Sequence, residues 1–558
     1  MSFNFALWLA GFHVYASAIA GSPSSPVVDL GYARYRGSTD LASNITSFLG
    51  IRYAVPPTGS LRFQAPKPPG HVAGTQNATA LPPQCWQGTD ADAAGNTTAQ
   101  RGDVVPTSSS EDCLFLDVVV PNIATARGLP VVVWIHGGAF VAGNISQYQN
   151  SDLTADSDNR AITVLIQYRL SVLGFLAGPE VKEKGALNAG LLDQHLALQW
   201  VQKQTFGGDP SKVTIWGSSG ANSVLQHIVA HGGRTNPPLF RNAITSSTVL
   251  TSQYPADGLI PSQIYDAVAN MSGCLAASDS FACLVSADAQ TLADIGQTIA
   301  IDAAYTTFAL VAVVDGQFIV ERPTLTLDRG EVNGNALLSV TNTFEGRIFT
   351  PATVSNITGY IQSLFPLMTT AQVEDAVQVY ALFNDTWPSL TDQAVAIRGE
   401  SIFICPTYDI LRAFPGKSWK GEFAIPPGDH GDDVPYYFTS QVHARRFIFL
   451  AYIMGPPYNN TDFINSFSKS FLAMVLAGDP NVKFDPTDRT PNWKTWSVGA
   501  TEMLFNETSA GQPEILGTST DPGVLTRCAY VFRALSSFSA LIACLSSFWK
   551  SVAANIAQ

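Results

Sequence analysis

Short, almost uninterrupted apolar runs recur along the chain: Val131-Val-Val-Trp-Ile135, Ala161-Ile-Thr-Val-Leu-Ile166, Val213-Thr-Ile-Trp216, Ala243-Ile-Thr245 and Ala336-Leu-Leu-Ser-Val340. Stretches with helical periodicity separate them, and Leu191 to Gln202 reads as one amphipathic helix. Strands that are apolar on both sides must be covered on both faces. A mostly parallel sheet flanked by helices achieves this, whereas an alternating, half-solvated sheet does not. The expected fold class is therefore α/β. The 558 residues would suffice for several average domains, but no internal repeat, heptad run or Pro/Ser-rich linker marks a boundary. A hydrophobic content of 46% against 13% charged residues supplies one large core. The stretch Asp257 to Val320 is richer in Ala, Asp and Ser and reads as a helical excursion, expected to roof whatever site the sheet carries.

The third apolar run leads into Gly217-Ser-Ser-Gly-Ala-Asn222, where an abrupt strand-to-helix elbow can lift Ser219 above the sheet. Such a turn strains the central residue and needs neighbours almost free of side chain, as Gly217, Gly220 and Ala221 are. A serine hydroxyl becomes a nucleophile only beside a base, and in sheets of this kind the acid and the histidine follow it in the chain. His13, His71, His136 and His195 precede Ser219. His227 and His231 fall in the helix that the elbow launches, and His443 begins an apolar helical run. His430, in the loop Pro427-Gly-Asp-His-Gly-Asp-Asp433, is left as the base. Glu345, just past the run ending at Val340, is the expected carboxylate. Its rival, Asp315, sits in an Asp-Gly turn signal. An oxyanion needs N–H donors. Gly138 and Ala139 in His136-Gly-Gly-Ala-Phe140 follow a strand and supply two, while Gly220 or Ala221 beside the nucleophile offers another.

These stretches, with Tyr53-Ala-Val-Pro-Pro-Thr-Gly-Ser-Leu-Arg-Phe63, Ser110-Glu-Asp-Cys-Leu-Phe-Leu-Asp117, Tyr168-Arg-Leu170, Gly190-Leu-Leu-Asp-Gln194, Phe206-Gly-Gly-Asp-Pro210, Glu345-Gly-Arg-Ile-Phe349 and His430-Gly-Asp-Asp-Val-Pro-Tyr436, resemble the type-B carboxylesterase/lipase family of α/β-hydrolases. The chain is closest in character to that family's secreted fungal members. The resemblance implies an α/β-hydrolase fold over 21–529, with helical insertions roofing the active site. It implies hydrolysis of carboxylic esters through an acyl-enzyme, with Ser219, Glu345 and His430 as triad and Gly138, Ala139 and Gly220 as oxyanion hole. It also implies disulfides Cys85–Cys113 and Cys274–Cys283, and suggests Cys405 with Cys528. The alternatives are a lipase or sterol esterase acting on long-chain lipid esters, and a non-catalytic adhesion protein that keeps the fold.

Several features depart from the family pattern. Ser218 stands where a glutamate is common, and Trp86 adjoins Cys85. The acid and aromatic face that would hold a quaternary ammonium are therefore missing. The segment between Cys85 and Cys113 carries the lid in lipase members. Here it is polar, so soluble or small-molecule esters are favoured over an oil surface. The run Trp200 to Phe206 is short, which threatens to turn the covering helix out of register beneath the elbow. The last stretch, 530–558, is apolar and atypical, and removing 530–547 would restore a family-like ending.

Residues 1–20 read as a signal peptide ending Ala18-Ile-Ala20, which implies secretion. The glycosylation sequons begin at Asn44, Asn77, Asn96, Asn144, Asn270, Asn356, Asn384, Asn459 and Asn506. Seven cysteines suit an oxidising compartment and leave Cys544 over. A net charge of -13 with no Lys/Arg cluster argues against nucleic acid. No stable membrane span is expected, and no cofactor. No Cys or His spacing suggests a metal, and oligomeric state is not legible.

Overall fold

The structure, a computed structural model, describes residues 25–88, 108–203, 206–302, 308–440 and 456–536. The signal segment, Asn96 and most of the Cys85–Cys113 loop, His443, Cys544 and 537–558 lie outside the described residues. One large sheet organises the chain, with strands β1 (Ser38–Asp40), β2 (Ile45–Arg52), β3 (Phe115–Pro121), β4 (Leu129–Ile135), β5 (Ile162–Ile166), β6 (Gly208–Ser218), β7 (Asn242–Ser246), β8 (Ala336–Asn342), β9 (Ser418–Phe423), β10 (Thr501–Glu507) and β11 (Pro513–Ser519). Their spatial order is β11-β10-β9-β8-β7-β6-β4-β5-β3-β2-β1. From β5 to β10 every neighbouring pair is parallel, and antiparallel strands finish both edges.

The apolar runs are buried on both faces, in alternation. Val131, Val133, Ile135, Ile215 and Val164 point into one core cluster, and Val132, Trp134, Leu165 and Trp216 into the other. Helices α1 (Ala189–Lys203) and α2 (Ala221–Gly233) cover the first face through Leu191, Leu198, Val224 and Ile228. On the other face, α6 (Thr461–Ala477) packs Phe463, Phe467 and Phe471. Between them in the chain, α3 (Leu259–Met271) and α4 (Ala289–Asp302) make up the helical excursion, and α5 (Thr370–Ala381) belongs to a satellite cluster. The last helix, α7 (Pro522–Ser536), runs unbroken through the expected boundary at 529/530. Tyr530 donates to the Gln372 carbonyl on α5 and Val531 is buried, so the first residues of the atypical segment belong to the folded unit. Cys85–Cys113, Cys274–Cys283 and Cys405–Cys528 are disulfides. No helix among the described residues is long and apolar enough to cross a membrane.

Because β5 follows β4 but lies on the side away from β6, the chain reverses its winding direction at β4 and β6. Crevices at the carboxyl ends of strands form at such a switch point. Register puts Gly217 beside Ile135, so the turns leaving these two strands must meet.

One buried acid makes the core pH-sensitive. Asp117, inside β3, is fully buried, and burial raises its pKa to about 7 although its Oδ1 accepts the Gly50 N–H. Its folded value lies above its unfolded one, so its contribution to stability is complete below the unfolded pKa and is lost as pH rises through about 7. Asp117→Asn, which keeps the acceptor without the charge, is expected to raise Tm at alkaline pH. It should also flatten the fall in Tm between about pH 4 and about pH 7, an effect on the order of a few kcal/mol. Thermal melts of both proteins across that range decide it, and parallel curves would refute the assignment.

Candidate active site

At the end of β6, Ser219 takes φ +55, and its N–H donates to the Ser246 carbonyl at the end of β7. A serine in the left-handed region is strained, and the surrounding glycines show why the chain tolerates it here. A Cβ on Gly137 would lie 3.1 Å from Ser219 Cβ, and one on Gly217 would lie 3.0 Å from the backbone of Gly220. A Cβ on Gly220 would collide with the His136 carbonyl. The elbow and the turn after β4 therefore interlock through bare backbone. Along that turn Gly138, Ala139 and Phe140 all have positive φ. Among the described residues the N–H groups of Gly138 and Ala139 have no acceptor. The Gly220 N–H, by contrast, donates to the Ser218 carbonyl at 2.5 Å, where the tight elbow closes on itself.

Glu345 follows β8 at the next parallel strand end. Its Oε1 accepts the Asn342 N–H at 2.7 Å, and its Oε2 lies 2.5 Å from His430 Nδ1. Glu345 and His430 are both fully buried. The two loops are clamped together: Phe344 N–H donates to the Gly428 carbonyl, and Arg347 pairs with Asp429 at 2.8 Å. Phe349 and Phe403 pack their rings against the imidazole at 5.0 and 4.7 Å. With Nδ1 committed to Glu345, the other ring nitrogen, Nε2, has no hydrogen-bond partner among the described residues. The structure thus brings Glu345 and His430 into contact, and it leaves the Ser219 hydroxyl without a hydrogen bond to the imidazole.

Sequence reasoning passed over Asp433, three residues after the histidine. It is fully buried, accepts from Asn342 Nδ2 at 3.1 Å and Tyr437 at 2.9 Å, and Tyr437 in turn accepts from Ser246. Burial raises its pKa, and the neighbouring Glu345 charge adds to the rise. Its only signal in the sequence was its place in the loop that carries His430. Ser218 is buried and uncharged, its Oγ without a partner among the described residues. Trp86 lines a separate small cleft with Phe63, Arg62 and Leu173. The shortened run after Trp200 leaves α1 in place: Gln194 on α1 still donates to Ser223 on α2, with residues 204–205 outside the described set. Asp315, the rival acid, instead caps its own turn through the Gln317 and Ile319 N–H groups and accepts from Asn188. Among the sequons, Asn144 is buried and its Nδ2 donates to Gln84 Oε1 at 2.8 Å. Asn44, Asn77, Asn270, Asn356, Asn384 and Asn459 are exposed, and Asn506 is half-buried.

A narrow cleft lies beside this machinery, lined by Phe175, Tyr254, Ile264, Phe308, Val311 and Val313. Phe175 stacks on Phe140 of the glycine turn at 4.2 Å, and Phe308 meets Phe349, the ring against His430, at 5.9 Å. Helix α3 supplies one wall. Among the described residues no grouping of His, Cys, Asp or Glu could hold a metal ion.

Residues 24–514 match the model of the carboxylesterase family. The carboxylesterase patB of Aspergillus clavatus is 31% identical over 84% of this chain and 91% of its own length. A secreted triacylglycerol lipase of Gibberella zeae is 33% identical over 62% of each chain. The chain spans 48% to 62% of the length of several lipases it matches. The crystal structure of Aspergillus niger EstA superposes with a TM-score of 0.77 at 27% identity, covering 92% of this chain and 99% of that one. With an α/β-hydrolase sheet, a strained serine elbow at its switch point and a family match across almost all of its length, the chain belongs to the carboxylesterase family.

Proposed function

We propose that the protein is a serine hydrolase that cleaves carboxylic esters through an acyl-enzyme intermediate. His430 Nε2 takes the proton of Ser219 Oγ as the oxygen attacks the ester carbonyl. The N–H groups of Gly138 and Ala139 receive the oxyanion, and Gly220 joins them once its N–H leaves the Ser218 carbonyl. Glu345 holds the imidazole in the required tautomer and stabilises the imidazolium. His430 then protonates the departing alcohol, and water attacks the acyl-enzyme with His430 again as base. The observation that carries this reading is the fully buried Glu345–His430 contact beside an elbow serine at φ +55. Burial of this pair would be costly as mere structure.

The cleft next to Phe140 and Phe349 is the place for the acyl chain. Its apolar and aromatic walls suit an acyl group. A second reading, hydrolysis of long-chain lipid esters, is favoured by the likeness to a secreted triacylglycerol lipase. That likeness, the three disulfides and the signal-like start support secretion into an oxidising space.

Hydrolysis of p-nitrophenyl esters from acetate to palmitate, together with covalent labelling by an organophosphonate, tests the reading. An esterase turns over the short soluble esters fastest. A lipase shows a rate that jumps once substrate exceeds its solubility, and a folded protein inert to both reagents is a binding protein. Phe308→Ala should enlarge the cleft and shift the ratio of long-chain to short-chain kcat/KM upward roughly tenfold. An unchanged ratio would place the acyl chain elsewhere.

A further inference from the structure

The reaction as described gives no part to a fully buried cation that lies near the base. Arg398, close to the end of the helix Leu390–Gly399, is wholly enclosed. Burial lowers its pKa only to about 10, so it stays charged at any pH at which an ester hydrolase would work. Taking a charge out of water is costly, and an apolar side chain of similar length would fill the same space without that penalty. The guanidinium carbon stands 4.9 Å from the centre of the Phe308 ring and 6.0 Å from that of Phe349, within the range at which the negative face of an aromatic ring attracts a cation. The two rings have different neighbours. Phe308 walls the apolar cleft, whereas Phe349 lies edge-on to the His430 imidazole at 5.0 Å. They also meet each other edge to face at 5.9 Å. One buried charge is thus shared between the cleft wall and the ring that seats the base.

The backbone that carries Arg398 is keyed to the same loops. A Cβ on Gly346, the residue after Glu345, would collide with the Val395 carbonyl and the Gly399 nitrogen, so the end of the helix rests on the Glu345 turn with no side chain between them. The next turn, Glu400–Ile404, is π-helical, a distortion frequent at functional sites. Its Ile402 carbonyl accepts the Leu250 N–H, from the segment after β7, at 2.9 Å. Its Phe403 ring stacks on Phe349 at 5.2 Å and tilts onto His430 at 4.7 Å. Val249, Phe349, Ile402 and Phe403 form one small core, with Phe308 packed against it. Arg398 enters this core from a backbone already fixed against the Glu345 turn, so its charge has a defined place from which to hold both rings.

We propose that Arg398 is a positioning residue: its buried guanidinium holds Phe349 against His430, and through Phe308 ties the wall of the acyl cleft to the seat of the base. This rests on the reading of His430 as general base and of the cleft as the place of the acyl chain. In the resting protein the Ser219 hydroxyl makes no hydrogen bond to the imidazole, so the rings around His430 carry the burden of aiming Nε2. A displacement of about 1 Å at a reacting centre costs about 10²-fold in rate. A tilt of the imidazole within an otherwise intact pocket is a smaller error, and about tenfold is expected.

The test compares Arg398→Met, Arg398→Lys, Phe349→Leu and the double variant of Arg398→Met with Phe349→Leu against the parent on p-nitrophenyl esters, alongside phosphonate labelling rates. On a short ester Arg398→Met should lower kcat about tenfold with KM within about threefold. Labelling should slow in parallel, because His430 must take the Ser219 proton there too. Arg398→Lys, which keeps a cation in reach of the rings, should stay within about threefold of the parent. The double variant should be no more than about twofold slower than the slower single variant, since both act on one contact. Loosening Phe308 should also raise the ratio of long-chain to short-chain kcat/KM about threefold in Arg398→Met, a change that a general weakening of the fold would not produce. A folded Arg398→Met with kcat within twofold of the parent, one that raises KM alone, an unchanged chain-length ratio, a lysine variant as slow as the methionine one, or multiplicative losses in the double variant each overturn the proposal. If Arg398→Met does not fold, Arg398→Gln, uncharged and still polar, is held to the same limits. Failure of the underlying reading looks different: the parent itself stays unlabelled by the phosphonate, and the proposal falls with it.

Discussion

Ser219→Ala is expected to lower kcat/KM on p-nitrophenyl esters by about 10⁶-fold, to the level left by the oxyanion donors and binding alone. The elbow makes the substitution a clean one. Alanine at φ +55 carries the same backbone strain as serine, so Tm should stay within a degree or two of the parent. Ser219→Gly should lose activity equally and gain about 1 kcal/mol of stability, because glycine adopts positive φ without that cost. Two adjacent serines add a control. Ser218 is buried at the strand end with its own carbonyl engaged by Gly220, so Ser218→Ala should retain activity within a few fold. If instead Ser218→Ala is dead and Ser219→Ala is active, the nucleophile has been placed one residue too late. If all three variants hydrolyse esters at the parent rate, activity resides elsewhere and the elbow is only a turn.

The fold was legible because it is written in short-range pattern. Apolar runs such as Val131 to Ile135 have no polar face to give to water, so sequence alone demanded helices on both sides, and clusters on both faces of the sheet supply them. Ser219 and His430 were legible for a related reason: an elbow needs glycines at fixed positions, and chain order left one loop histidine. Glu345 needed only a strand end. The parts that escaped sequence reasoning depend on which way groups point after folding. The donation from Gly220 N–H to Ser218 is a matter of backbone orientation within one turn, which residue identity does not encode. Gln194 and Ser223 are common polar residues far apart in the chain, and only the packing of α1 on α2 makes one the donor to the other. Asn144 carried a valid sequon, yet tertiary burial took its amide for Gln84. Past residue 529, α7 continues as helix and packs on α5 through Tyr530.

Glu345→Gln is expected to cost about 10⁴-fold in kcat while leaving the fold and KM nearly unchanged. The glutamine is isosteric, and its Oε1 can keep the Asn342 N–H, so the loop has no reason to move. The harm is done at the other carboxylate position. Where Glu345 Oε2 accepts the Nδ1 proton of His430, the amide presents N–H, and the imidazole must turn Nδ1 into an acceptor. Its proton then sits on Nε2, the nitrogen that has to take one from Ser219, and the base is blocked in the resting enzyme. Asp433 gives the experiment a second arm. It is buried close enough to Glu345 and His430 to feel both charges, but its oxygens are taken by Asn342 and Tyr437 rather than by the imidazole. Asp433→Asn should therefore cost far less than Glu345→Gln, about tenfold, by loosening Asn342, whose N–H holds the Glu345 carboxylate. Steady-state kinetics of the two variants, with phosphonate labelling to count competent serines, separates the roles. Equal losses would mean that the two acids share the orientation of His430. A larger loss in Asp433→Asn would transfer the role of triad acid from Glu345 to Asp433.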